Sequence, residues 1–337
     1  MKKRTEEKIK KILEKIKASQ KILLTSHIEP DGDSVCSQLA LANYLDSLGK
    51  EYQIINQGEI PHKYLFLDEK KRIKNKSRPR RLSPNSEGFD LAIFIECSNL
   101  DRSGGVRRLL SKKSFLINID HHQDNSLFGK INYVDHSASA AGEVIYDILD
   151  VSGFPLDKKT AELIYVAILT DTGRFRYSSI TPKTFRICAD LLECGIDTNF
   201  LTQRIYYDFS ERSLKLLRTV LEKIELYQDK RICFLTITHP MLKKFKVPYQ
   251  DTDGFVDFSL SIAGSKVGAL FLELEEGLTQ VSLRSSDFMD VSKIAKSFGG
   301  GGHKNASGFT QKGKVQRIKK ALLDSILKKL KGKDNLS

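Results

Sequence analysis

Carboxylates and imidazoles stand in three short runs and at one further position. The first run is Ser26-His27-Ile28-Glu29-Pro30-Asp31-Gly32-Asp33-Ser34. The second is the single residue Glu96, and the third is Asp120-His121-His122. Asp171 stands in Thr170-Asp171-Thr172-Gly173-Arg174-Phe175. Oxygen and imidazole donors together suit Mn2+ or a similar divalent ion, and a cysteine-free donor set disfavours softer metals. Several carboxylates brought into one crevice repel one another unless cations neutralise them. Two ions about 3.5–4 Å apart activate a water and clamp a phosphoryl oxygen. The chemistry these residues suit is therefore phosphoester hydrolysis without a covalent intermediate. Each fragment alone has an ordinary explanation: a loop histidine, an Asp-Gly turn, a surface histidine pair. Asp171 follows an apolar helical run, where a carboxylate has the wrong sign for the helix dipole, and this supports a ligand role.

Scattered residues form a site only if the chain gathers their flanking elements. Lys21–Thr25 is a short apolar run, Ser34–Leu48 has helical spacing up to Gly49, and Glu51–Asn56 reads as a second strand. Asp90–Ile95 and Ser114–Ile119 are continuous apolar runs of the kind found in buried parallel strands. Ala141–Val151, Lys158–Leu169 and Pro182–Cys194 read as helices, with Gly153 and Gly195 as stops. This alternation predicts an α/β fold with a doubly wound parallel sheet. In such a sheet the carboxyl ends of the strands line one crevice, so His27, Asp31, Asp33, Glu96, Asp120, His121 and His122 are expected to converge. Asp197–Leu226 is helical and charged, with no strand signal, and reads as a connector. Arg231–Ile237, Lys266–Leu274 and Thr279–Arg284 are strand-like, Val291–Phe298 is helical, and Val315–Lys331 is a basic helix. The expected organisation is residues 1–195, a helical linker at 196–226, and a smaller α/β domain at 227–337.

The formal charge of +13 is unevenly placed. Residues 1–17 carry eight Lys/Arg against three Glu, and residues 311–337 carry nine against two Asp. Such ends either attract a polyanion or are the solvated faces of amphipathic helices; Ile9, Ile12, Leu13 and Ile16 favour the second reading for the first helix. Lys70–Arg81, rich in Ser and Pro, reads as an exposed basic loop. The five cysteines form no CxxC pair, which points to reduced thiols acting as small apolar groups and disfavours a structural zinc site. No apolar run approaches the roughly 20 residues of a membrane span, and no signal peptide is read, so the expected location is cytoplasmic.

His27-Ile28-Glu29-Pro30-Asp31-Gly32-Asp33, Asp120-His121-His122 and Gly299-Gly300-Gly301-Gly302-His303 together resemble the motifs of the DHH/DHHA1 phosphoesterase family. The likeness runs from residue 20 to 311 and is greatest to the nano-RNase A-like branch of bifunctional oligoribonucleases and pAp phosphatases. It implies two divalent ions, Mn2+ in particular. His27, Asp31 and Glu96 would hold one; Asp33, Glu96, His121 and Asp171 would hold the other, with Glu96 bridging. His122 would touch the scissile phosphate, Asp120 would orient the histidines, and Arg102 matches a further motif that touches phosphate. The family usually has Asp where this chain has Glu96, and the extra methylene puts metal spacing, metal preference and rate in question.

The second half resembles the DHHA1 substrate module. Arg284 and Ser285, in Val281-Ser282-Leu283-Arg284-Ser285-Ser286, would bind a second phosphate together with Gly300, Gly301, Gly302 and His303. Glycines allow close backbone approach, and successive amides cradle anions. The implied partners are short RNA, linear dinucleotides such as pApA, and pAp; no membrane is implied, and the branch admits a homodimer. A cyclic di-AMP phosphodiesterase is the rival within the superfamily. A pyrophosphatase is disfavoured by the glycine-rich run, and a non-catalytic RNA-binding protein by the lack of an aromatic-rich RNA platform.

Overall fold

The computed structural model describes residues 3–76, 88–275, 277–286 and 288–334. The chain divides into two compact units, Met1–Ile205 and Tyr206–Ser337. The first contains α1 (Lys3–Ala18), β1 (Lys21–Thr25), α2 (Gly32–Ser47), β2 (Glu51–Asn56), β3 (Ile73–Asn75), β4 (Leu91–Ile95), β5 (Phe115–Asp120) and β6 (Ile131–Val134). It continues through α3 (Ala141–Ser152), α4 (Lys158–Asp171), α5 (Pro182–Glu193) and α6 (Thr198–Tyr206).

The six strands form a sheet in the order β3-β2-β1-β4-β5-β6, and every neighbouring pair is parallel. The order reverses between β1 and β4, the switch point outside whose carboxyl ends ligands bind in open α/β sheets. Strand β4 lies in mid-sheet and all five of its residues are buried, which is why it reads as an unbroken apolar run. Alternate side chains of the central strands separate into two cores. Leu23, Ala92 and Phe94 pack with Val106 and Leu109 of the 3-10 segment Leu100–Leu109; α2, α3 and α4 pack together, with α2 against β2 and β4 and α3 against β5. Ile9, Ile12, Leu13 and Ile16 of α1 are buried, as their spacing predicts.

The second unit contains α7 (Glu211–Leu221), β7 (Glu225–Tyr227), β8 (Ile232–Ile237), α8 (His239–Phe245), β9 (Val267–Glu275) and β10 (Leu278–Ser285). It ends with α9 (Val291–Ser297), β11 (Gly301–Gly302), β12 (Ala306–Lys312) and α10 (Val315–Asp334). Its sheet runs β11-β12-β10-β9-β8-β7 and is antiparallel apart from the parallel pair β8 and β9. Phe234, Phe271, Val281 and Leu283 face α9 and α10. Cys233, Leu235, Leu270 and Leu272 face α7 and α8. Each buried Phe contributes about 1.5–3 kcal/mol of hydrophobic stabilisation.

Several local expectations differ from these elements. Strand β6 and helix α8 carry no reading in the sequence, and β3 falls in the stretch read as an exposed loop. Strand β7, Glu225–Tyr227, begins inside the Asp197–Leu226 stretch read as purely helical and pairs with β8. Of the basic stretch at 70–81, residues 73–75 form β3 and Arg72 bonds to Asn43 at 2.8 Å; residues 77–81 lie outside the described residues. Cys194 is half-exposed, whereas the other four thiols are buried.

Candidate active site

The chain leaves β1 through Ser26 and turns at once into α2. Ile28 N donates to Arg102 O at 2.7 Å and Glu29 N to Gln57 O at 3.0 Å, fixing the loop that carries His27. His27 Nδ1 lies 2.8 Å from Ile28 O, so Nε2 turns inward. Asp31 caps α2, its Oδ1 accepting from Ser34 N at 3.0 Å, as short acceptor side chains do at helix starts. A Cβ on Gly32 would stand 2.6 Å from Thr170 Oγ1 and 2.8 Å from Tyr64 Oη. Only glycine lets the start of α2 lie against the end of α4, where Asp171 is the last helical residue.

Asp33, in the first turn of α2, is buried. Its carboxylate accepts from Ala141 N at 2.6 Å and Gly142 N at 2.9 Å, the opening amides of α3, and from Ser37 Oγ at 2.9 Å. A helix N-terminus presents amides and positive dipole to an anion, so α3 is aimed at Asp33.

Glu96 follows β4 directly. Its N–H still bonds to Ile119 O at 2.9 Å, but its φ is +56°, a left-handed conformation uncommon outside glycine. Asp120 is the last residue of β5. Its Oδ1 accepts from His121 N and lies 2.8 Å from His122 Nδ1. Its Oδ2 accepts from Asn125 Nδ2 at 2.5 Å, and Asn125 also reaches Asn118 Oδ1 at 2.7 Å. Asp120 thus holds His122 through Nδ1 and leaves Nε2 facing Glu96. His121 Nδ1 lies 3.2 Å from Ala138 O, which turns its Nε2 the same way.

Side chains that could ligate an ion are thus brought together. His27, Asp31 and Glu96 offer ligand atoms within 4.8 Å of one another, and so do Asp33, His121 and Asp171. His27 Nε2 is 2.6 Å from Glu96 Oε2 and 3.8 Å from Asp31 Oδ2. His121 Nε2 is 3.3 Å from Asp171 Oδ2 and 3.9 Å from both Asp33 Oδ2 and Glu96 Oε1. His122 Nε2 is 3.5 Å from Glu96 Oε1. Glu96 therefore addresses one group with each oxygen. Separations of 3.3–3.9 Å exceed a good hydrogen bond but suit ligands about 2 Å from a shared ion.

Electrostatics agree with that fit. Burial, followed by the charges of Asp171, Glu96 and Asp31, pushes the Asp33 carboxyl well above its usual range. Burial opposes charge on His27, yet Glu96 and Asp31 raise its proton affinity well above the ordinary histidine value. Burial likewise opposes ionisation of Asp31 and Asp120, but His27 and His122 respectively hold them below the usual carboxylate range. The cluster gathers more negative charge than its own groups neutralise. A nitrogen-and-oxygen donor set carrying excess negative charge is one a divalent ion fits.

Arg102 stands in the 3-10 segment after β4, half-buried, and its carbonyl ties down the His27 loop. In the second unit, Arg284 Nε donates to Asp257 Oδ1 at 3.0 Å and Nη1 to Leu283 O at 3.1 Å. Arg284 is the register partner of Ala306, whose carbonyl accepts from His303 N at 2.7 Å. Arg284 and His303 therefore flank the same end of β12. Ser285 is buried; its Oγ accepts from Met289 N and its N donates to Asn305 O. The glycine-rich run is not a free loop: Gly301 and Gly302 pair with Gly308 and Ser307. A Cβ on Gly300 would collide with Gly308 O and Phe309, whereas one on Gly301 would meet nothing within 4 Å.

These two units match known families. The model described as the DHH family, N-terminal domain, matches residues 21–168, and that described as the DHHA1 domain matches residues 229–331. A relative from Streptococcus mutans, named a probable bifunctional oligoribonuclease and PAP phosphatase NrnA, is 33% identical over 300 residues, covering 89% of this chain and 92% of its own. This chain belongs to the DHH/DHHA1 family. A relative from Thermus thermophilus, named bifunctional oligoribonuclease and PAP phosphatase NrnA, is 31% identical over 308 residues, covering 91% of this chain and 89% of its own. The crystal structure of an exopolyphosphatase-related protein from Bacteroides fragilis superimposes with a TM-score of 0.87 at 28% identity, covering 97% of each chain.

The DHH match ends at residue 168, short of Asp171, which the geometry nonetheless sets beside His121. The DHH site also uses groups that sequence reasoning missed: the amides of Ala141 and Gly142, the carbonyl of Ala138, and the side chains of Asn118 and Asn125. Backbone groups leave no mark in a sequence. Asn118 offered one signal, a lone amide inside the apolar run of β5.

Proposed function

We propose that this DHH/DHHA1 protein is a metal-dependent phosphodiesterase and phosphatase. It hydrolyses short oligonucleotides, linear dinucleotides such as pApA, and pAp to nucleoside monophosphates. The observation that carries this reading is the pair of donor groups, His27–Asp31–Glu96 and Asp33–His121–Asp171, with one Glu96 oxygen directed to each. The names of the Streptococcus mutans and Thermus thermophilus relatives support the substrate class.

Two divalent ions, Mn2+ in this reading, would supply Lewis-acid charge and an activated water when bound. His27, Asp31 and Glu96 would hold one; Asp33, His121, Asp171 and the second Glu96 oxygen would hold the other. The chain's own groups do the rest. Asp120 holds His122 through Nδ1, so the Nε2 edge of the ring faces the site, where an Nε2–H would donate to a phosphoryl oxygen. Arg102 would contact a substrate phosphate. In the DHHA1 unit, Asp257 holds Arg284 through Nε, orienting the guanidinium for a second substrate phosphate. His303, with Gly300, Gly301 and Gly302 beside it, completes that anion site, and Ser285 keeps its end of β10 in place. A cytosolic location and a homodimer belong to the same reading, and sedimentation of the purified protein tests the second.

The test offers pApA, a pentanucleotide RNA, pAp and cyclic di-AMP separately with Mn2+ and with chelator. Chelator-sensitive release of AMP from pApA and nucleotides from the RNA is the expected result. Preferential opening of cyclic di-AMP would replace the substrate class, and no turnover of any of the four would overturn the reading.

A further inference from the structure

Six consecutive residues, Ala138 to Glu143, support one of the two donor groups and leave the other alone. Ala138 O receives His121 Nδ1 at 3.2 Å. Ala140 is the cap residue of α3, and the next two amides, Ala141 and Gly142, hold Asp33. Between these contacts, Ser139 is held by Glu143. The Glu143 carboxylate is fully buried. Its Oε1 accepts from the Ser139 hydroxyl, from Ser139 N at 3.3 Å and from Thr184 Oγ1 at 2.7 Å. Thr184 belongs to the capping box that opens α5.

No Lys or Arg pairs with Glu143 among the described residues, and its Oε2 has no hydrogen-bond partner. Burying a carboxylate without a cation is costly, and Glu143 reaches beyond the capping contact that its place in the first turn of α3 allows. What Glu143 gains is a joint. It ties the loop that carries Ala138 O, the first turn of α3 that carries the two amides, and the start of α5. A slip of Ser139 would move the supports of His121 and Asp33 together. His27, Asp31 and Glu96 draw on none of these atoms.

We propose that Glu143 is a positioning residue for the Asp33–His121–Asp171 group, and that its loss weakens one bound cation and spares the other. The proposal rests on the ligand reading above. Partners that orient metal ligands typically change metal affinity about 10–100-fold when lost.

The test titrates Mn2+ into chelator-stripped wild type, Glu143→Ala and Glu143→Gln, following free Mn2+ by EPR. Nitrogen-15 NMR of the metal-free proteins reports the His121 tautomer, and thermal melts report folding. The expected result is two wild-type sites, of which Glu143→Ala weakens one about 10–100-fold and leaves the other unchanged, with loss of a single His121 tautomer. Glu143→Gln, which keeps an acceptor at the Oε1 position, is expected to have a milder effect in the same direction. A folded Glu143→Ala protein with both affinities and the His121 tautomer of wild type overturns the proposal, because a merely structural role moves only the melt. Should Glu143→Ala fail to fold, Glu143→Gln and Ser139→Ala are judged by the same two readouts. Wild type that takes up no Mn2+ removes the ligand assignment itself, and the proposal falls with it.

Discussion

Gly142→Ala tests how closely the start of α3 must approach Asp33. The new Cβ would stand 2.6 Å from Ala167 Cβ on α4, against about 3.5–4.0 Å for carbon atoms at ease. The helices must therefore part by about 1 Å or more, or crowd. A 1 Å retreat stretches the Gly142 N–Asp33 Oδ1 bond from 2.9 Å to beyond hydrogen-bonding range. Overpacking of this kind costs about 1–3 kcal/mol, and a ligand displaced by about 1 Å costs on the order of a hundredfold in rate. The expected outcome is a lowered melting temperature together with kcat/KM on pApA reduced about a hundredfold. Ala167→Gly removes the carbon that the new methyl strikes. In the Gly142→Ala background it should restore most of the activity, although glycine within a helix itself costs about 1 kcal/mol. A single mutant with wild-type melting and kinetics would refute the reasoning, as would a double mutant no more active than the single.

Asp33→Ala and His121→Ala should each abolish chelator-sensitive hydrolysis while leaving far-UV circular dichroism unchanged; activity surviving in both would remove these residues from the site. Arg284→Ala should raise KM about tenfold, the scale of one lost charged hydrogen bond, with kcat little changed, and an unaltered KM would contradict its phosphate role. Glu96→Asp should weaken Mn2+ binding while leaving or raising the melting temperature, because aspartate tolerates positive φ better; tighter binding would show that the longer arm is not needed. Burial pushes the Cys97 and Cys188 thiols up to about 12, and Cys194 is the half-exposed one. Since the thiolate is the nucleophile, a thiol reagent at pH 8 should label Cys194 first in native protein, faster as pH rises. A second thiol reacting as fast would count against the burial of the others.

Glu96 and the Asp120-His121-His122 run were legible because each follows an apolar run that ends where the polar residue begins. Leu91–Ile95 and the core of Phe115–Asp120 are buried from neighbouring strands and helices alike, so their composition announces both strand and end. The edges of the same sheet announce nothing: Ile73–Asn75 and Ile131–Val134 are short and half-exposed, and they pair because a neighbour offers a ladder. The Gly301–Gly302 strand is the extreme case. Two glycines have no strand propensity, and only the facing β12 makes them one. Helix α8 is seven residues long with a proline in its first turn, too short for helical periodicity to register. Glu143 and Asp257 were invisible for another reason. Their importance lies in which distant group they hold, and one-dimensional spacing carries no record of that.

Glu96 shows what the fold accepts to build the site. Its amide is still pinned to β5 through Ile119 O, so the left-handed φ of +56° is the turn that takes the chain off the sheet without losing that bond. A non-glycine residue there costs on the order of 1 kcal/mol, and glutamate is less suited to it than aspartate. The extra methylene supplies reach, from 2.6 Å at His27 to 3.9 Å at His121. To that backbone strain the site adds crowded carboxylates. Asp33 binds its proton more tightly folded than unfolded, its carboxyl being raised by burial and by Asp171, Glu96 and Asp31. In metal-free protein its contribution to stability is therefore fullest below the ordinary aspartate range and is lost as pH rises through the raised value. A divalent ion held by these carboxylates would take the place of that proton and offset the repulsion, but would leave the φ of Glu96 as it is. Part of the free energy of metal binding would then be folding free energy, tying the stability of this protein near neutral pH to its metal content through the carboxylates proposed to hold the metal.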